Sequence, residues 1–419
     1  MLYERWRDVV TGRRHEIALR ELATDRAWTF AQLAAAAEHH PAPAGPVAHP
    51  CGSSAQFILD TLAAWREGRV VCPLEGGQAV PALGEPPSGV VHLKSTSATT
   101  GAPRLVAFTA GQLAADAENV VLTMGLRPDW PNLGCISLAH SYGFSNLVTP
   151  LLLHGIPLFL MASTLPETLR QVLARFSEVT LPAVPALWRL WHEAGVITPR
   201  IRLAISAGAP LPLNLESSVH AGTGVKLHNF YGATECGGIA YDPSATPRTE
   251  EGLAGQAMRN VHLSVNREGC LEVRGAAVGQ CYWPEPADSL GDGRYRTQDL
   301  AELSNGVVFL RGRAGDVINV AGRKVSPEAI ERVLRRYPGV RECLVLGIPE
   351  PDSGRGESIA ACVVARPEDE AELKRFAREQ LPDWQVPRRW CFVESLEANQ
   401  RGKVSRAEWR RRLLDGAPG

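Results

Sequence analysis

Several things are scarce in this 419-residue sequence, and each scarcity removes a class of protein. Neither sign of charge is in excess: 44 Lys and Arg stand against 45 Asp and Glu, a formal net charge of -1. Bulk electrostatics therefore favours neither nucleic acid nor an anionic bilayer as a partner. Cysteine is sparse and unpatterned. The nine thiols are odd in number and contain no Cys-x-x-Cys pair, which fits reduced cysteines and argues against a disulfide scaffold or a zinc site. Long apolar runs are missing too. The greasiest segment, 147–161, is cut by Pro150, His154, Gly155 and Pro157, too short and interrupted to span a membrane. The opening Met1-Leu2-Tyr3-Glu4-Arg5-Trp6-Arg7 has no signal-peptide core. No repeats or low-complexity tracts occur. A soluble, cytoplasmic protein with no nucleic acid partner and no membrane insertion is expected. Its 45% hydrophobic and 21% charged residues are ordinary globular composition, enough for two or three domains.

What is present begins with periodicity. Thr29 and Thr109 each open a helical pattern, and residues 53–66 carry Phe57, Ile58, Leu62 and Trp65 at helical spacing. From residue 105 to 231 short apolar strands alternate with helices, with a strand expected at 134–138 and another at 201–206. That alternation predicts a parallel sheet with helices on its faces. Residues 252–310 change character. Glycine-rich short runs bounded by Asp292-Gly293 and Asn305-Gly306 predict a compact antiparallel β unit. After Asp316 helices and strands mix again over about a hundred residues, the size of a small separate domain.

The chemistry centres on Ser95-Thr96-Ser97-Ala98-Thr99-Thr100-Gly101-Ala102-Pro103-Arg104, between two apolar runs. Hydroxyls, backbone N–H groups and a terminal guanidinium suit phosphate oxygens. It is not the P-loop pattern, and on its own such a segment is more often a flexible connection. Six further features follow in order: Ala139-His140-Ser141-Tyr142-Gly143-Phe144, Gly208-Ala209-Pro210, Tyr231-Gly232-Ala233-Thr234-Glu235, Thr297-Gln298-Asp299, Gly312-Arg313-Ala314-Gly315-Asp316 and Gly402-Lys403. Glu235 alone reads as a surface carboxylate, Asp299 as a turn residue and His140 as a core histidine. Their order is what carries weight.

The ordered series resembles the adenylate-forming superfamily of acyl- and aryl-CoA synthetases, peptide-synthetase adenylation domains and luciferases, over nearly the whole chain. The resemblance implies an α/β fold: a large N-terminal domain of parallel α/β sheets plus a small β unit, residues 1–314, then a small α+β domain, 315–419, on a hinge at Gly315. The first would bind ATP and acid and looks N-terminally trimmed; the second would carry Lys403. Thr96, Ser97, Thr99, Thr100, Gly101 and Arg104 would clasp the β- and γ-phosphates. Gly208, Ala209, Pro210, Tyr231 and Gly232 would enclose adenine, and Thr234 would contact the α-phosphate. Glu235 would hold Mg2+, whose preference for carboxylate and phosphate oxygens suits it. Asp299 would accept the ribose hydroxyls beside Arg313. His140 would lie near the substrate carboxylate, and Lys403 would bridge that carboxylate and the α-phosphate. Ala98, Arg104 and Gly315 depart from the pattern, where Gly, Lys and Asp or Lys are usual.

The implied activity is ATP-dependent conversion of a carboxylic acid to an acyl-adenylate, then transfer to a pantetheine thiol. Val325-Ser326-Pro327-Glu328 resembles the CoA-ligase version of the segment after the hinge, which favours CoA. A phosphopantetheine on an acyl carrier protein is the alternative acceptor, and a catalytically silent adenylate-binding protein the alternative of another class. His140, Tyr142, Phe144 and the Gly237-Gly238 pair are compatible with an aromatic or medium-length apolar acid.

Overall fold

The structure, a computed structural model, describes residues 2–81, 83–96, 104–350, 356–366, 369–396 and 404–415. Six parallel strands form the centre of the largest sheet, in the spatial order Leu227–Ala233, Ile201–Ser206, Val179–Ala183, Asn132–Gly134, Leu158–Leu160 and Ile17–Glu21. Every residue of Val179–Ala183 is buried, as helices on both faces of a parallel sheet require. The predicted alternation is thus borne out. The first helix, Leu2–Arg13, and the strand Ile17–Glu21 carried no motif; Trp6 is fully buried beside Phe30 and pins that start to the core.

The β unit is not a separate body. The Gly237–Tyr241 strand pairs antiparallel with Leu227–Ala233, and Leu253–Ala257, Val307–Arg313, Arg294–Ser304, Cys270–Arg274 and His262–Val265 extend the same sheet. Both predicted turns are present: Asp292, Gly293, Asn305 and Gly306 all have positive φ. A second sheet joins Cys281–Trp283 to Leu105–Thr109, Val90–Ser95, Val70–Val71 and Val47–Ala48.

Local signals held where the physics is local. Thr29 and Thr109 each accept from the backbone N–H three residues on, while Gln32 and Gln112 reciprocate. The strand expected at 134–138 instead spans Asn132–Gly134. A Cβ on Gly134 would sit 2.9 Å from Leu160, so the strand packs tightly there and then leaves the sheet. That early exit puts Ser137 and His140 in the loop at the strand's C-terminal end.

Beyond residue 317, three strands, Glu342–Pro349, Glu357–Val364 and Arg389–Phe392, pack with the helices Pro327–Leu334, Glu370–Gln380 and Arg406–Leu414. Two apolar clusters, one built on Ile330, Val345 and Leu373 and the other on Leu346, Cys362 and Trp409, belong to this segment. Ion pairs Arg189–Glu342 (3.1 Å) and Arg332–Glu251 (3.3 Å) link it to the rest.

Candidate active site

The site gathers at the C-terminal ends of the central strands, where an open parallel sheet leaves a crevice for ligands. Gly208 follows the Ile201–Ser206 strand with φ 86°, a conformation open to glycine and strained for other residues. Gly208 and Pro210 are exposed and Ala209 is half-exposed. One strand over, Tyr231 lies at the end of Leu227–Ala233 and donates its phenol to Asp299 Oδ2 at 2.6 Å. Arg313 Nε donates to Asp299 Oδ1 at 2.9 Å. The pairing of Asp299 opposite Arg313 in neighbouring strands makes this contact. Burial and then the Asp299 charge push the Tyr231 phenol well up, so it remains a donor. Burial works against the Arg313 charge, but Asp299, with Asp316 and Tyr231, raises its pKa.

Glu235 is half-buried, and that desolvation pushes its carboxyl above the ordinary value, against hydrogen bonds that pull it down. One of those comes from Tyr282, whose phenol donates to Glu235 Oε1 at 2.9 Å. The Arg104 guanidinium lies 4.0 Å from the centre of the Tyr282 ring and donates to the Glu285 carbonyl at 3.2 Å. A chain of contacts thus runs from Arg104 through Tyr282 to Glu235. No sequence motif marked Tyr282.

The neck of the loop is closed by two bonds. The Thr96 N–H donates to the Arg104 carbonyl at 2.8 Å, and the Arg104 N–H donates to Thr96 Oγ1 at 3.1 Å. Val90–Ser95 and Leu105–Thr109 pair antiparallel below it. Ser97, Ala98, Thr99, Thr100 and Gly101 lie outside the described residues, as do Gly402 and Lys403.

His140 Nε2 stands 2.9 Å from Glu75 Oε1, and the Ser137 hydroxyl donates to the same oxygen at 2.6 Å. Glu75 lies beyond the Val70–Val71 strand of the second sheet, so this contact joins the two sheets. Its only signal in the sequence is a carboxylate just before Gly76-Gly77. Gly143 explains the spacing of His-x-x-Gly: a Cβ there would lie 1.9 Å from the Ser137 carbonyl oxygen. Gly143→Ala is expected to cost roughly 3 kcal/mol, at the upper end of overpacking penalties. Urea unfolding would read it, and a midpoint unchanged from the parent would contradict this packing.

Two readings of the acid-binding wall are corrected. Phe144 is fully buried against His92 (4.2 Å between ring centres) and Phe57, so it is core. Gly237 and Gly238 do not open space. They lie in a strand, and a Cβ on Gly237 would sit 1.9 Å from Asp116 Oδ1, while one on Gly238 would meet Met258 and Phe230. Asp116 Oδ1 accepts from the Gly238 N–H (3.2 Å), and Oδ2 accepts from Ser145 (2.6 Å) and Lys94 (3.4 Å). Cys236 is buried in the core, and that burial, with Glu235 nearby, raises its thiol well up. Gly315 lies in the single turn Ala314–Asp316, where an added Cβ would touch only Gln298 Oε1 at 3.6 Å.

Residues 79–283 match the family described as AMP-binding enzyme, and residues 329–403 its C-terminal domain. A 2-succinylbenzoate–CoA ligase of Bacillus cereus is 30% identical over 335 residues, 75% of this chain and 68% of its own. A feruloyl-CoA synthase of an Amycolatopsis species is 27% identical over 382 residues, 84% of this chain and 77% of its own. Among solved structures, ATP-bound MatB from Rhodopseudomonas palustris shares the fold with a TM-score of 0.86 and 22% identity over 99% of both chains. The chain belongs to the AMP-binding enzyme family, the adenylate-forming superfamily. Within it, the chain is an AMP-forming ligase of the acyl-CoA synthetase type. No helix among the described residues is long and apolar enough to cross a membrane.

Proposed function

We propose that the protein activates an aromatic or medium-length apolar carboxylic acid with ATP and passes the acyl group to CoA, releasing AMP and pyrophosphate. The observation that carries this is the Tyr231–Asp299–Arg313 set, with the Tyr282-bonded Glu235 in the turn that follows the Tyr231 strand. Asp299 accepts the ribose hydroxyls with Arg313 beside it. Gly208, Ala209, Pro210, Tyr231 and Gly232 hold adenine, and Thr234 the α-phosphate. Thr96 through Arg104 hold the outer phosphates. The half-exposure of Ala209, Tyr231 and Thr234 supports a ligand reaching them.

Mg2+ fits Glu235 on the chemistry present. No cluster of three or more His, Cys, Asp or Glu able to hold a metal occurs among the described residues. A lone carboxylate suits Mg2+, which is commonly held by one or two carboxylates plus substrate phosphates. Bound there, the ion supplies charge neutralisation between those phosphates. Glu235, oriented by Tyr282, supplies the ligand oxygen.

Tyr142, half-buried with its ring 5.9 Å from that of the core residue Phe230, supplies apolar surface for the acid. The feruloyl-CoA and 2-succinylbenzoate–CoA enzymes that resemble this chain support CoA as acceptor over a carrier protein. Residues 1–314 act as the adenylation core, and 315–419 turn about Gly315 to carry Lys403 away before thiol attack. ATP–pyrophosphate exchange across a panel of benzoates, cinnamates and C6–C12 fatty acids tests the reading. Exchange with at least one acid is expected; none with any acid would point to the silent adenylate-binding alternative.

A further inference from the structure

We infer that Glu75 and His140 form the proton-accepting pair for the acyl acceptor, with Glu75 as the positioning residue. The inference rests on the two-step reading above and assigns His140 to its second step, not to the substrate carboxylate. Three observations lead there. Glu75 Oε1 lies 2.9 Å from His140 Nε2, an ion-pair contact, and a carboxylate against that nitrogen favours the proton on Nε2. Neutral imidazole with Nε2 protonated carries its lone pair on Nδ1, which has no hydrogen-bond partner among the described residues. Such a nitrogen repels a carboxylate oxygen and accepts from an S–H or N–H.

The third observation is placement. His140 and Glu75 are each about one-third exposed, with side-chain values of 32% and 37%, so the ring is reachable. The Ser137 hydroxyl, donating to the same Glu75 oxygen at 2.6 Å, fixes the carboxylate that fixes the ring. Nucleophile, base and an orienting third group is the arrangement that activates weak nucleophiles. Here the nucleophile arrives with the acceptor. Its S–H proton passes to His140 Nδ1 as sulfur bonds the acyl carbon. The bond from that carbon to the AMP phosphate oxygen breaks, and AMP leaves with the electron pair. Glu75 stabilises the imidazolium formed, which then releases its proton to solvent. The charged group that the structure places against His140 is Glu75.

The test separates the two half-reactions. Glu75→Gln keeps the shape of the side chain but removes the charge. With benzoyl- and octanoyl-adenylate supplied pre-made and CoA as acceptor, its single-turnover thioester formation at pH 7 should fall about 100-fold, the lower end of general-base effects. The loss should be at least ten-fold greater than any loss in ATP–pyrophosphate exchange. Raising the pH to 9, where a thiol of pKa about 8.5 ionises unaided, should restore most of the rate. Equal losses in both half-reactions, or a deficit as large at pH 9 as at pH 7, would overturn the assignment. His140→Ala provides a second route. Added imidazole should rescue its thioester step, and rescue of exchange alone, or none, would refute the pair. Normal exchange with a slow thiol step leaves the ligase reading standing, whereas absent exchange in the parent protein strikes the reading itself.

Discussion

Lys403→Ala is expected to lower acid-dependent pyrophosphate release by about 10²–10³-fold while thioester formation from pre-made adenylate stays within a few-fold of the parent. The asymmetry is physical. In the adenylation transition state, negative charge collects between the attacking carboxylate, the α-phosphate and departing pyrophosphate. A cation aimed at that point, in a site closed to water, stabilises the transition state more than bound substrates. In thiol attack on the adenylate the charge lies elsewhere. Lys403 itself is outside the described residues, but the chain three residues on is held firmly. Arg406 pairs with Asp316 (2.9 Å), Glu328 (2.9 Å) and Glu331 (2.7 Å) and donates to the Val345 carbonyl (3.1 Å). Burial opposes its charge, yet those carboxylates outweigh it and raise its pKa. Arg406 is thus tied to Asp316, next to Gly315. Stopped-flow pyrophosphate release and single-turnover thioester formation would read the two steps. Equal loss in both would remove Lys403 from its role.

Asp299→Ala should reduce kcat/KM for ATP by about 100-fold, equivalent to roughly 2.7 kcal/mol. Asp299 does two things at once. In the proposed function it offers oxygens to the nucleotide, and it holds the Tyr231 phenol and the Arg313 guanidinium through its two carboxylate atoms. Its removal leaves both donors without that partner, a cost beyond the lost ligand contact. The sharper measurement pairs the variant with 2′-deoxy- and 3′-deoxy-ATP. If Asp299 accepts the ribose hydroxyls, deleting a hydroxyl should penalise the parent about ten-fold but the variant hardly at all, the non-additivity expected of groups in contact. Equal penalties in both proteins would mean that Asp299 only orders Tyr231 and Arg313.

The Thr29 and Thr109 caps were legible because a capping box needs four consecutive residues and nothing else. The parallel sheet was legible because alternation of strand and helix leaves few other topologies. The family was legible only from the motifs as an ordered series. Isolated, Glu235 and Asp299 look like any surface carboxylates. Where the sequence misled, distant contacts decided. Gly237-Gly238 looked roomy, yet Asp116, more than a hundred residues earlier, fills the space beside them. Phe144 looked like a pocket wall and is core, because the helix after His140 turns it toward Phe57 and His92.

Sequence alone thus determined the fold class, the family and the order of its motifs, all properties carried by local patterns repeated along one chain. Only the tertiary structure decided the partners. It set Glu75 against His140, Tyr282 against Glu235, and Asp116 between Lys94, Ser145 and Gly238. The physical reason is sequence separation. A hydrogen bond has no memory of how far apart its ends lie in the chain, so no local pattern announces which donor will meet which acceptor.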